Sequence, residues 1–228
     1  MNQGSLHSGT KIREFFASIA NRYDLANHLL SFWCDVWWRQ WVAREVRRLE
    51  PRRVLDLATG SGDLAVALRQ ACPKALVVGA DFCAPMLAVA QRKSVPHLVV
   101  ADGMQLPFAS GSFDVVSIAF GLRNMEDWTK ALKECARVLQ RGGHLVVLDF
   151  SLPQGAWGAV YRWYLHGILP RLAGWVTGQK QAYQYLAESI EKFPSGKAMQ
   201  ALMAGAGLEV TRQVVIQGGV VTAHWARR

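Results

Sequence analysis

No window of about 20 residues in this chain is free of charge, so the sequence offers no helix able to span a bilayer. The start, MNQGSLHSGTKIREFF, lacks the basic cluster and apolar core of a secretory signal, and a cytosolic protein is expected. Cysteine is sparse and scattered. Cys34, Cys72, Cys83 and Cys135 form no CxxC pair, and the six histidines show no HxxxH spacing, so free thiols and no metal are expected. Internal repeats and low-complexity tracts are also missing, which argues against solenoids and disordered arrays. Acid is in short supply too: 17 Asp and Glu face 26 Lys and Arg, a net charge of +9. Part of that excess lies in RQWVAREVRRLEPRR, residues 39–53, which reads equally as a solvated helix face or as a surface for a polyanion or an anionic membrane.

The apolar residues are plentiful, 51% of 228, enough for a substantial core. Residues 10–50 carry helical spacing, with Ile12, Phe15, Phe16 and Ile19 on one stripe and Trp37, Trp38, Trp41 and Val42 on another. From Arg53 onward short apolar strands alternate with helices: VLDLA, a helix over 63–71, LVVGAD, a helix over 84–93, HLVVAD, FDVVSIAF, a helix over 126–139, and HLVVLDF. The spacing of Trp128, Ala131, Leu132, Cys135, Val138 and Leu139 defines the last helix, with a stop expected at Gly142-Gly143. Such alternation predicts an α/β, Rossmann-like, doubly wound and mostly parallel sheet with helices on both faces. Residues 151–192 are an aromatic-rich helical insertion, and the closing stretch around Gln217-Gly218-Gly219 reads as an antiparallel hairpin. The expected plan is one domain over 1–228: an N-terminal helical lid at 10–50, a binding core at 51–150, the insertion or lid at 151–192, and a helix with hairpin at 193–228.

The chemistry starts at VLDLATGSGD, residues 54–63. A glycine pair after a buried strand lets backbone approach a ligand, and the following helix aims free N–H groups at it. Gly60, Gly62 and Ala65 satisfy the G-x-G-x-x-A form of a dinucleotide fingerprint, with Asp81 at the next strand end to take ribose hydroxyls, so NAD is an open alternative. Asp56 argues against it, because a carboxylate four residues before Gly60 repels a pyrophosphate and attracts an ammonium or sulfonium. S-adenosylmethionine meets all three strand ends: its cationic aminoacyl end at Asp56, its ribose at Asp81, and its adenine amino group at Asp102-Gly103.

Beyond these residues, KIREFFASIANRYDLANHLLSF, VLDLATGSGDLA, ADFCAPML, LPFASGSFDVVSIAFGLRNMEDWTKALKECARVLQRGGHLVVLDFSLP, YQYLAESIEKFP and GGVVTAHWA together resemble the UbiE/MenG family of ubiquinone and menaquinone biosynthesis C-methyltransferases, over nearly the whole chain. The glycine turn is common to class I methyltransferases, whereas FGLRN at 120–124 and YQYLAESI at 183–190 are far more specific to this family. The resemblance implies a seven-stranded sheet and methyl transfer from S-adenosylmethionine to a ring carbon of a polyprenylated quinol, either demethylmenaquinol or the methoxy-benzoquinol precursor of ubiquinone. It implies a cofactor shell of Tyr23, Asp56, Gly60, Ser61, Gly62, Asp81, Phe82, Met86, Asp102, Gly103 and Ala119. Two positions depart from the pattern: Ala119 stands where a serine is expected, leaving only a backbone contact, and Asp35 stands where a histidine often precedes the W-R pair.

A ring carbon becomes nucleophilic when a neighbouring quinol hydroxyl loses its proton, so the oxidised quinone is expected to be inert. A phenol titrates near pKa ~10, and a nearby cation favours its ionisation at neutral pH. Arg123 is the first candidate to stabilise the phenolate or to orient a water, Asn124 to hold a quinol oxygen, and Tyr23 or Asp24 to relay the proton. Read blandly, Arg123 is a surface residue pairing with Glu126 or Asp127. Aromatics of 157–175 and the N-terminal tryptophans are candidates for a prenyl channel or for ordinary core, and the basic 39–53 face for holding an anionic bilayer. A homodimer or a quinone-synthesis complex also fits. Nucleic-acid methyltransferase is an alternative, but the chain has no N/D-P-P-Y/F motif and no Cys directly following a Pro. A cofactor-binding module without catalysis is another, disfavoured by the intact FGLRN.

Overall fold

The computed structural model describes residues 31, 33–171 and 180–228. Helix α1 (Cys34–Arg47) leads into β1 (Arg53–Leu57), α2 (Asp63–Ala71), β2 (Leu76–Asp81), α3 (Ala84–Arg92), β3 (Leu98–Val100) and β4 (Phe113–Ala119). A 3-10 turn at Leu122–Asn124 precedes α4 (Trp128–Val138) and β5 (Leu139–Phe150). Then come α5 (Gly155–Trp163), continued by a π turn at Tyr164–Ile168, α6 (Lys180–Lys192), α7 (Lys197–Gly205), β6 (Glu209–Ile216) and β7 (Val221–Arg227).

The seven strands run in the order β3-β2-β1-β4-β5-β7-β6. All neighbours are parallel except at β7, which is antiparallel to both β5 and β6. The chain winds outward from β1 to β3 and then returns to start the other half at β4, so the crevice for a ligand opens where β1 and β4 diverge, at their carboxyl ends.

Alternation along the strands divides two cores. Leu55, Leu57, Val116 and Ile118 point to the face covered by α4 and α7, where Leu132, Met199 and Met203 are buried. Val54, Val115 and Val146 point to the opposite face, covered by α1 and α2 through Trp38, Val42, Leu64 and Leu68. By the same period of two, Asp56 and Ser117 project toward the α1 side.

Two expectations need correction. Helix α4 ends at Val138, and β5 begins at once with Leu139, so Gly142-Gly143 bend a strand rather than cap a helix. Gly142 takes φ +79 within that strand, and at the other end of the helix the side chain of the N-cap residue Asp127 accepts the Lys130 N–H. Along α1, Trp38 and Val42 are buried but Trp37 is 55% exposed, so it does not belong to the core stripe. The stripe at Ile12, Phe15, Phe16 and Ile19 lies outside the described residues.

Candidate functional site

A cavity of about 470 Å³ opens at the carboxyl ends of β1 to β4. Asp56, Gly60, Ser61, Asp81, Phe82, Met86, Asp102, Gly103, Ala119 and Asn124 all line it. These residues are spread over some 70 positions of sequence, and the switch point of the sheet brings them to one place.

Asp56 sits at its floor, 1% exposed. In register it faces Ser117 on β4 and Gly79 on β2. The Ser117 hydroxyl donates to Asp56 Oδ1 at 2.9 Å and the Thr59 hydroxyl to Oδ2 at 2.6 Å. Gly79 makes the second bond feasible, because a Cβ there would come within 3.0 Å of the Thr59 methyl. Thus the aspartate braces its own turn as well as lining the cavity. Burial pushes its carboxyl up to about 6, against the two hydroxyl bonds and the charge of Arg39.

The Asp81 carboxylate, at the end of β2, accepts the Gly60 N–H at 2.8 Å and the Cys83 N–H at 2.9 Å. It ties the glycine turn to the next strand and still faces the cavity. Burial raises its pKa, while these backbone donors pull it down. Asp102 is exposed and accepts the Met104 N–H at 2.8 Å in an Asx turn.

Gly60 turns with φ +56 on the cavity wall, but Gly62 does not line the cavity. A Cβ at Gly62 would lie 2.8 Å from that of Ala90, so this glycine serves close packing of α2 on α3. Gly121 has a similar role in the opposite wall: a Cβ there would fall 2.3 Å from that of Ala58. Ala58 and Phe120 both take positive φ, 54° and 59°, where the ends of β1 and β4 turn around the cavity.

Arg123 is neither at the surface nor paired with Glu126 or Asp127. It is 9% exposed, and its guanidinium donates to Asp149 Oδ1 and to the Phe120 carbonyl, both at 2.6 Å. Its Cζ lies 5.2 Å from the Phe150 ring, and it stands behind the wall that Phe120 and Asn124 form rather than in the cavity itself. Burial raises the Asp149 carboxyl, and Arg123 opposes that shift. Asn124 is on the wall, with its Oδ1 accepting the Tyr185 hydroxyl at 3.1 Å. This joins the two most distinctive motifs, FGLRN and YQYLAESI, in one contact. Tyr23 and Asp24 lie outside the described residues.

Sequence reasoning missed Arg39. Arg44, Arg47, Arg48, Arg52 and Arg53 are exposed as the basic stretch suggested, but Arg39 is 9% exposed and lines the cavity. It is bonded to Asp35 at 2.5 Å and stacked over Phe120, with Cζ 5.5 Å from the ring. The i,i+4 spacing of Asp35 and Arg39 was a legible signal, since such a pair holds one side chain against another on one helix face. Asp35, the departure from the expected histidine, is the partner that anchors this arginine.

The family model described as the ubiE/COQ5 methyltransferase family matches residues 5–228. The chain belongs to the ubiE/COQ5 methyltransferase family. It is 49% identical over 215 residues to the demethylmenaquinone methyltransferase of Thermus thermophilus, covering 92% of this chain and 97% of that protein. It is 39% identical over 225 residues to the ubiquinone/menaquinone biosynthesis C-methyltransferase UbiE of Geotalea uraniireducens, covering 95% of each. Among solved structures, a SAM-dependent methyltransferase from Thermotoga maritima superposes with a TM-score of 0.67 at 20% identity, over 94% of this chain and 98% of that one. That likeness places this member of the methyltransferase family in the Rossmann-like methyltransferase fold. Among the described residues no cluster of His, Cys, Asp and Glu is arranged to hold a metal ion, and no helix is long and apolar enough to cross a membrane.

Proposed function

We propose that this methyltransferase uses S-adenosylmethionine to methylate a ring carbon of a polyprenylated quinol, either demethylmenaquinol or the methoxy-benzoquinol precursor of ubiquinone. The observation that carries the reading is the meeting of Asp56, Asp81 and Asp102, from three successive strand ends, on one cavity beside a glycine turn. Three carboxylates suit a ligand with a cationic end and hydroxyl and amino donors, and they oppose a pyrophosphate.

In this proposal Asp81, already fixed by two N–H groups, keeps lone pairs for the ribose hydroxyls. Asp102, Gly103, Phe82 and Met86 bound the adenine side, and Ala119 contributes backbone. When bound, S-adenosylmethionine supplies a methyl group already activated by a sulfonium, so the protein's work is alignment and charge. Asn124 presents its amide to a quinol oxygen, its orientation held by Tyr185. Arg123 favours the phenolate from behind the wall, its charge shared with Asp149. Tyr23 and Asp24 relay the phenol proton.

The lipid substrate is met at an anionic bilayer. Trp33, Trp37, Trp157 and Trp163 are 58%, 55%, 51% and 66% exposed, an unusual cost for a face in water. Two of these segments meet the β6–β7 turn: Gln217 Nε2 donates to Sγ of Cys34, the neighbour of Trp33, at 3.0 Å, and a Cβ on Gly218 would lie 3.2 Å from the Trp157 indole nitrogen. Tryptophan favours the headgroup level, and the exposed arginines of α1 add attraction to acidic lipid. Flotation with acidic liposomes checks this arm; protein left wholly in the soluble fraction refutes it.

The activity test incubates the protein with methyl-labelled S-adenosylmethionine and, separately, both quinols, their oxidised quinones and total RNA. Label in an extracted quinol but not in its quinone is the expected result, and it names the ring. Label only in RNA, or none despite cofactor binding, overturns the proposal.

A further inference from the structure

The cavity has two chemically different ends. At one stand Asp81 and Asp102; at the other, the side facing α1, stand Arg39, Asp56 and Asp63. Arg39 is the cation there. Its placement is over-determined: Asp35 Oδ2 at 2.5 Å, Asp63 Oδ2 at 3.9 Å, and the Phe120 ring beneath the guanidinium. Asp63 is itself bonded to Lys93, so its charge is not left to Arg39 alone. A guanidinium has five N–H donors, and the contact to Asp35 is made through one nitrogen, Nη1, which is also the atom nearest Asp63. Among the cavity-lining residues, an opposite pair, Arg39 and Asp56, thus borders the glycine turn. A zwitterion with carboxylate and ammonium on one carbon matches such a pair.

We infer that Arg39 is the anchor for the carboxylate of the cosubstrate's aminoacyl end, and that it selects ligands carrying a free α-carboxylate over nucleosides that lack one. The inference rests on the proposed use of S-adenosylmethionine. A planar guanidinium held on an aromatic ring is preorganised for a carboxylate, so little side-chain freedom is lost on binding. Asp35 positions it, which gives a reason for an aspartate at that place on the helix.

The test compares two ligands by calorimetry: S-adenosylhomocysteine, with the aminoacyl end, and 5′-methylthioadenosine, without it. Arg39→Met is expected to weaken S-adenosylhomocysteine about 10- to 100-fold, as for loss of a charge-assisted bond, and to leave methylthioadenosine within about twofold. Arg39→Lys, which retains charge but not the fork, should fall between. Because Arg39→Met removes the cation beside buried Asp35, which also accepts the Ser31 hydroxyl, the double variant Asp35→Asn/Arg39→Met is measured alongside, with methylthioadenosine affinity reporting an intact pocket. Equal loss for both ligands, or unchanged S-adenosylhomocysteine affinity, overturns the role of Arg39 while the cofactor reading stands. If the unaltered protein binds neither ligand, the cofactor reading fails and this inference falls with it.

Discussion

Asp56→Asn should stabilise the fold while weakening the site. The Asp56 carboxyl is raised from 3.8 to about 6 by burial. A carboxylic acid whose folded pKa lies above its unfolded one holds its proton better in the folded state, so stability from that proton is complete below about pH 4 and is lost as pH rises through about 6. At 1.36 kcal/mol per unit, the loss at pH ~8 is about 3 kcal/mol, with about half of it already incurred at pH ~5. The hydroxyls of Thr59 and Ser117 are already included in that shift, and both can rotate to accept from an amide as well as donate to one. Asn fills the same space without the charge. Urea denaturation at pH ~5 and pH ~8 is the assay: the Asn variant should gain stability over the parent chain, and the gain should roughly double between the two pH values. Binding of S-adenosylhomocysteine should weaken in the same variant. A variant less stable than its parent by the same amount at both pH values would refute the reasoning, since it would mean that the carboxylate is ionised and well paired throughout.

Other perturbations separate scaffold from chemistry. Gly121→Ala drives a methyl to 2.3 Å from the Ala58 Cβ, so the ends of β1 and β4 must part; we expect about 1–3 kcal/mol of destabilisation in chemical denaturation and weaker cosubstrate binding. Arg123→Ala leaves Asp149, 2% exposed, without its 2.6 Å partner and should cost about 3–5 kcal/mol. The double variant Arg123→Met/Asp149→Asn should recover much of that stability in urea titration, yet no turnover, if Arg123 acts on the acceptor. Tyr185→Phe removes the bond to Asn124 Oδ1, costing about 1 kcal/mol of stability, and should lower kcat without changing cosubstrate affinity.

The sequence by itself determined the sheet and the strand ends that line the cavity. Buried parallel strands need continuous apolar runs, and turns that approach a ligand need glycine, so VLDLATGSGD, LVVGAD and FDVVSIAF carried their structure in local pattern. Asp56, Asp81 and Asp102 were legible for the same reason, being polar residues at or just beyond the ends of those runs. What the pattern does not hold is direction and distance. Gly62 satisfies a binding motif yet serves packing against Ala90, because which neighbour a missing side chain makes room for depends on how two helices cross. Arg39 sits in a basic stretch and reads as surface, but the rotation of α1 on the sheet turns it inward while Arg44, Arg47 and Arg48 stay in water. Arg123 has Glu126 and Asp127 within four residues, yet its partner is Asp149, 26 residues away, since β4 and β5 are neighbours in the sheet. Charges choose partners by position in space and by how far water is excluded, and only tertiary packing decides both.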